Sequence, residues 1–238
     1  MADETYVTSD SAEGLQGLIN IVGHWGRRYQ MIFGPSKMNI TITGPVVDME
    51  FFKDTEPWVL NGNHIPVTDE NDHLGLIVSG MDEDDKNVEM KLKKGRNSLF
   101  ALLGPAFAYK CLLSPTAQCH LWRTYTISAI TSGQSALPLR HSNTQPITAF
   151  HRKLLRGFLK LSQSSPIPAL YFLLSELPIE GRLHLEVFSL FWSVWSNPQS
   201  TVFQITKYLL TTCEDNSRTW SIHVRHLCKI YNLSLIHI

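Results

Sequence analysis

The chain has 238 residues, 43% hydrophobic and 18% charged, with a formal net charge of zero; that composition can bury a substantial core and is not that of a disordered segment. Its longest apolar stretch, 187–195, is broken by Ser189 and Ser193 and is far shorter than the roughly 20 residues of a membrane-spanning helix, and the N-terminus shows no secretory pattern. Cys111, Cys119, Cys213 and Cys228 have neither CxxC nor disulfide-framework spacing, which suits an intracellular location, cytoplasm or nucleus.

In chain order, Ser11 to Tyr29 reads as an amphipathic helix, with Leu15, Leu18, Ile19 and Val22 on one face, Glu13 in the first turn and Arg27 and Arg28 near the end. Gly23 and Gly26 are expected to weaken its second half. Met38, Ile40 and Ile42 alternate with polar residues as in a half-buried strand. Residues 58–67 form a hairpin around Asn61-Gly62, a pair that favours positive φ, and His73 to Ser79 adds a further strand. From Met81 the pattern becomes helical, with Val88, Leu92, Leu99, Leu102 and Leu103 at helical spacing. Prolines then punctuate six more helices, at 115–130, 146–161, 166–176, 178–196, 198–212 and 217–231, the last opening on Ser217. Ser132-Gly133-Gln134-Ser135 reads as a linker.

The zero net charge conceals a partition. Residues 1–90 carry 16 acids and 5 bases, residues 91–160 carry 11 bases and no acid, and residues 161–238 carry 5 of each. An acid-free basic stretch is what a phosphate-contacting surface needs, because each neutralised phosphate releases counterions. Lys91, Lys93, Lys94 and Arg96, with Lys110 and Arg123 beyond, are the candidate phosphate contacts. Cys213, His223, His226 and Cys228 stand at a spacing that fits no common structural zinc pattern. His24, His151 and His184 read as packing or surface histidines.

Several short segments occur in a definite order: Met1-Ala2-Asp3-Glu4, the helix bearing Gly14-Leu15-Gln16, the turn Phe33-Gly34-Pro35-Ser36-Lys37 and then His73-Leu74-Gly75. Leu154-Leu155-Arg156, Ala169-Leu170-Tyr171, Leu177-Pro178-Ile179-Glu180 and the Trp220–Arg225 segment follow. The ordered set resembles the C-terminal part of a non-LTR retrotransposon reverse transcriptase, from the end of the palm through the thumb and beyond. That resemblance implies an α+β fold. Residues 1–80 would be a small hairpin-and-helix palm remnant, 81–132 thumb-like helices and 133–232 a C-terminal helical region. It also implies catalytic positions at Asp3, Glu4 and Lys37, with Asp3 and Glu4 holding magnesium and Lys37 near the incoming triphosphate.

By the same resemblance, His73, Leu74 and Gly75 belong to the primer grip and the basic residues contact an RNA/DNA template-primer. Glu4 stands where the family has a second aspartate, one methylene longer in reach. The fingers and first half of the palm lie outside the chain, which is therefore expected to grip template-primer but not to polymerise alone. Two other readings stay open: a non-catalytic nucleic-acid-binding helical module, or a protein-interaction domain docking through 188–192. Leu233–Ile238 resembles the translation of CTG TCT CTT ATA CAC ATC, an end sequence of transposase-based sequencing libraries, and is expected to be an artefactual tail without function.

Overall fold

A computed structural model describes residues 6–34, 37–43, 58–79, 83–108, 113–215 and 219–233. The expectations on Asp3, Glu4 and Lys110 lie outside those residues. The fold is α+β: among the described residues, short strands accompany a helix in the first part of the chain, and helices dominate the second. The chain divides into two compact units, Met1–Glu83 and Asp84–Ile238. The expected division between 132 and 133 falls inside the second.

In the first unit, helix α1 (Ala12–Arg28) starts where the Ser11 side chain accepts the Gly14 N–H at 3.2 Å. Its apolar face packs Ile19 and Leu15 against Ile40, Trp58, Leu60 and Ile65. Gln16 joins helix to strand twice: its Nε2 donates to the Val59 carbonyl at 3.0 Å and its Oε1 accepts the Val59 N–H at 3.2 Å. Gly23 and Gly26 are buried. A methyl on Gly23 would lie 2.8 Å from Leu60 Cδ1, and one on Gly26 would strike the Phe33 ring. These glycines therefore permit the close approach on which the unit is built, offsetting their poor helix propensity.

Among the described residues of this unit the strands form three two-stranded sheets. β1 (Ile40–Thr41) runs parallel to β4 (Val67–Thr68), and β2 (Val59–Leu60) pairs antiparallel with β3 (Asn63–His64). Asn61 and Gly62 both take left-handed φ, 50° and 82°, as the Asn-Gly pair predicts. The expected single strand from His73 to Ser79 is instead half of a second hairpin, β5 (Glu70–His73) with β6 (Leu76–Ser79). Leu74 and Gly75, at φ of 50° and 78°, make its turn.

In the second unit, α2 (Glu83–Ala108) buries Val88, Leu92 and Leu99. The expected helix 115–130 is one helical run in three parts: α3 (Pro115–Leu121), a π-helical segment at Trp122–Ile127 and α4 (Ser128–Thr131). The expected linker that follows is exposed at Ser132 and Gly133 and then turns inward. Gln134 is fully buried, and the Ser135 carbonyl accepts the Trp220 Nε1–H at 2.7 Å.

Helix α5 spans His141–Leu159, five residues earlier than the proline at 146 predicts. Asn143 accounts for the shift, because its Oδ1 accepts the Arg140 N–H at 2.9 Å and closes the first turn. Pro146 sits in the second turn on the exposed side, where its missing N–H leaves the Ser142 carbonyl to water. Then come α6 (Ile167–Leu174), α7 (Ile179–Trp195), α8 (Thr201–Thr212) and α9 (Trp220–Ile230). Trp122, Ile147, Leu155, Phe158, Leu170 and Ile179 fill the centre of this unit, and Val187, Phe191, Val224, Leu227 and Cys228 join α7 to α9.

Candidate nucleic-acid interface

The residues expected to act together fall into two groups, one in each unit. Lys37, exposed, follows the turn in which its own N–H donates to the Gly34 carbonyl at 3.0 Å. His73, Leu74 and Gly75 lie at the tip of the β5–β6 hairpin, with the His73 ring 4.8 Å from that of Tyr6. The two places belong to one small assembly, since Asn39, just before β1, donates to Asn71 Oδ1 on β5 at 3.1 Å.

The basic residues of the second unit separate by role. On α2, Lys93, Lys94 and Arg96 are exposed, whereas Lys91 is 4% exposed and already has an interaction partner. Lys91 stands three residues after Val88 and four before Gly95, on the buried stripe of the helix, so its ammonium is not presented beside Lys93 and Lys94. Arg96 lies over the Phe150 ring, 5.5 Å from its centroid. Phe150 on α5 is followed one turn later by exposed Lys153, which brings the two helices' cations to one neighbourhood. The Phe150–Lys153 spacing is the signal that sequence reading passed over.

Arg123 is committed elsewhere. Its Nη2 donates to the carbonyls of Leu174 at 2.9 Å and Ser175 at 2.8 Å, and its Nε donates to Glu176 Oε1. Glu176 is fully buried at its side chain and has a second cation, Arg182, at 3.6 Å. A cation on the carbonyl end of α6 and a buried carboxylate between two guanidiniums are structural features, which leaves Arg123 little capacity for phosphate. Beside this cluster the Cys119 thiol is pushed up to about 11, first by burial and then by the Glu176 charge.

The remaining chemistry-bearing side chains form no metal centre: among the described residues no three His, Cys, Asp or Glu groups come together to hold a metal. Cys228 is buried against α7, and His223 faces a cavity with His184 and His226. His151 is fully buried, stacked on Trp122 with centroids 5.2 Å apart, and burial pulls it down to about 4, helped by the Arg182 and Arg152 charges. No helix of the described residues is long and apolar enough to cross a membrane. Comparison with protein-family models, with curated proteins and with solved structures finds no match.

Proposed function

We propose that the chain is part of an RNA-directed DNA polymerase of the non-LTR retrotransposon type, which grips an RNA/DNA template-primer and does not polymerise by itself. The observation that carries this reading is the exposure of Lys93, Lys94 and Arg96 on α2, within a stretch of 70 residues that holds no acid. The ordered motifs from Asp3 to the Trp220–Arg225 segment support it. In the intact enzyme Asp3 and Glu4 would hold magnesium. Lys37 would lie toward the incoming nucleotide, and His73-Leu74-Gly75 toward the primer end.

The test is binding of an RNA/DNA hybrid across a salt series. Affinity should fall steeply with salt, and Lys93→Ala, Lys94→Ala and Arg96→Ala should each reduce the slope of log affinity against log salt by about 1 if the side chain neutralises one phosphate. Salt-independent binding, or a triple variant that binds as the parent does, overturns the reading. Magnesium-dependent extension of a primed RNA template by the 238-residue chain alone overturns its inactive part.

A second reading, a protein-interaction domain, is favoured by Leu185 and Trp192, which are 60% and 59% exposed on α7. The rest of the 188–192 stretch supports it less, since Phe191 is buried and Phe188 packs on the Tyr231 ring. Binding of hybrid that survives Trp192→Ala and is lost with the α2 cations separates the two.

A further inference from the structure

A cavity of about 350 Å³ opens between the start of α5, the first turns of α7 and the inner face of α9. Its lining has two characters. Leu139, Ile222, Leu227 and Ile230 supply an apolar wall, while Arg140 just before α5, His141 at its start, His184 from α7 and His223 and His226 from α9 bring a guanidinium and four imidazoles. The acids that face the same space are already engaged. Glu180 Oε1 accepts from Thr148 at 3.1 Å and lies 3.7 Å from His141 Nδ1, and Asp215 is held by Arg225 and Lys229, each at 2.7 Å.

Arg140 forms no ion pair among the described residues. Of the charged residues that line the cavity, Arg140 stands with Glu180 and Asp215, and the charge of Asp215 is offset from outside the lining by Arg225 and Lys229. Tyr231 Oη occupies one ring nitrogen of His184 at 2.8 Å, leaving the other for a ligand. Burial lowers both His184 and His223, the latter to about 4, so at neutral pH these two offer uncharged hydrogen-bonding nitrogens. Volume and lining match a small-molecule site: a few convergent polar groups over an apolar surface.

The donor set favours one ligand chemistry. A phosphoryl group presents several strong acceptor oxygens around one centre, which suits a guanidinium surrounded by imidazoles. The apolar wall calls for an organic body attached to that group. We propose that this cavity is a binding site for a small organic phosphate monoester, its phosphoryl oxygens held by Arg140 and the surrounding imidazoles and its organic part laid against Ile222, Leu227 and Ile230. The proposal does not depend on the nucleic-acid reading, none of whose candidate contact residues lines this cavity.

The test is calorimetric titration of the full chain at pH 7 with phenyl phosphate, inorganic phosphate and phenol in parallel. Phenyl phosphate should bind saturably with a Kd below about 1 mM, at least about tenfold more tightly than either half-probe. Arg140→Gln should weaken it by about tenfold, exposed His226→Gln should weaken it measurably, and Lys207→Gln, exposed on α8 outside the cavity, should leave it unchanged. Absence of saturable binding, inorganic phosphate or phenol binding as well as phenyl phosphate, or folded Arg140→Gln and His226→Gln variants that bind as the parent does each overturns the proposal.

Discussion

Leu74 holds a φ of 50° with its side chain 79% exposed, so the turn takes on left-handed strain with no burial in return. A left-handed conformation costs a non-glycine residue about 1–2 kcal/mol, and asparagine tolerates it better than leucine. Leu74→Asn should therefore raise stability by about 1 kcal/mol, read as a shift in the urea midpoint, while weakening hybrid binding if the leucine side chain touches the primer. A lower midpoint would contradict the strain. The contrast with Asn61-Gly62 shows what was legible: there both residues favour the turn and its place followed from sequence, whereas at Leu74-Gly75 only the glycine does. Lys91 was legible in principle, since helical spacing from Val88 to Gly95 places it on the buried stripe, but its charge drew it into the basic set.

At the scale of the element, Gly95 decides how near α2 can come to α4. A methyl there would meet Ile130, with Cδ1 at 2.7 Å, and Ile130 is itself fully buried. Alanine gains about 1 kcal/mol in helix propensity over glycine, but overpacking a filled core costs about 1–3 kcal/mol. Gly95→Ala should therefore be neutral to destabilising by about 2 kcal/mol, and thermal unfolding that rises would show the approach to be loose. The bounds of α7 and the existence of α8 followed from prolines at their starts, and that of α9 from the helical reading of 217–231. The early start of α5 did not, because a side chain to backbone bond from Asn143 outweighed the proline signal at 146. The π segment at Trp122–Ile127 leaves no mark in a 3.6-residue pattern; within it Trp122 faces His151 while neighbouring Arg123 reaches Glu176.

Across the whole molecule, three depressed imidazoles in the helical unit, His151, His184 and His223, set an acid limit. A histidine whose folded-state pKa lies below its unfolded value leaves stability intact above about pH 6.5 and removes it as pH falls from there toward the folded value, about 4 for both His151 and His223. His151, fully buried with no partner for either ring nitrogen among the described residues, should by itself lower stability by about 2 kcal/mol between pH 7 and pH 5. Urea midpoints at the two pH values would measure this, and His151→Phe should flatten the slope. An unchanged slope in that variant would assign the acid sensitivity to His223 and its neighbours instead.

The bond from Trp220 to the Ser135 carbonyl joins positions 85 residues apart, and that from Arg123 to Glu176 joins positions 53 apart. Closing loops of that length comes late, after local helices have formed, because chain entropy must be overcome before the contact repays it. The packing of α7 is therefore completed only when α9 arrives. A nascent chain emerging as far as α8 would hold the Val187–Phe191 face of α7 without the Val224, Leu227 and Cys228 side chains that cover it.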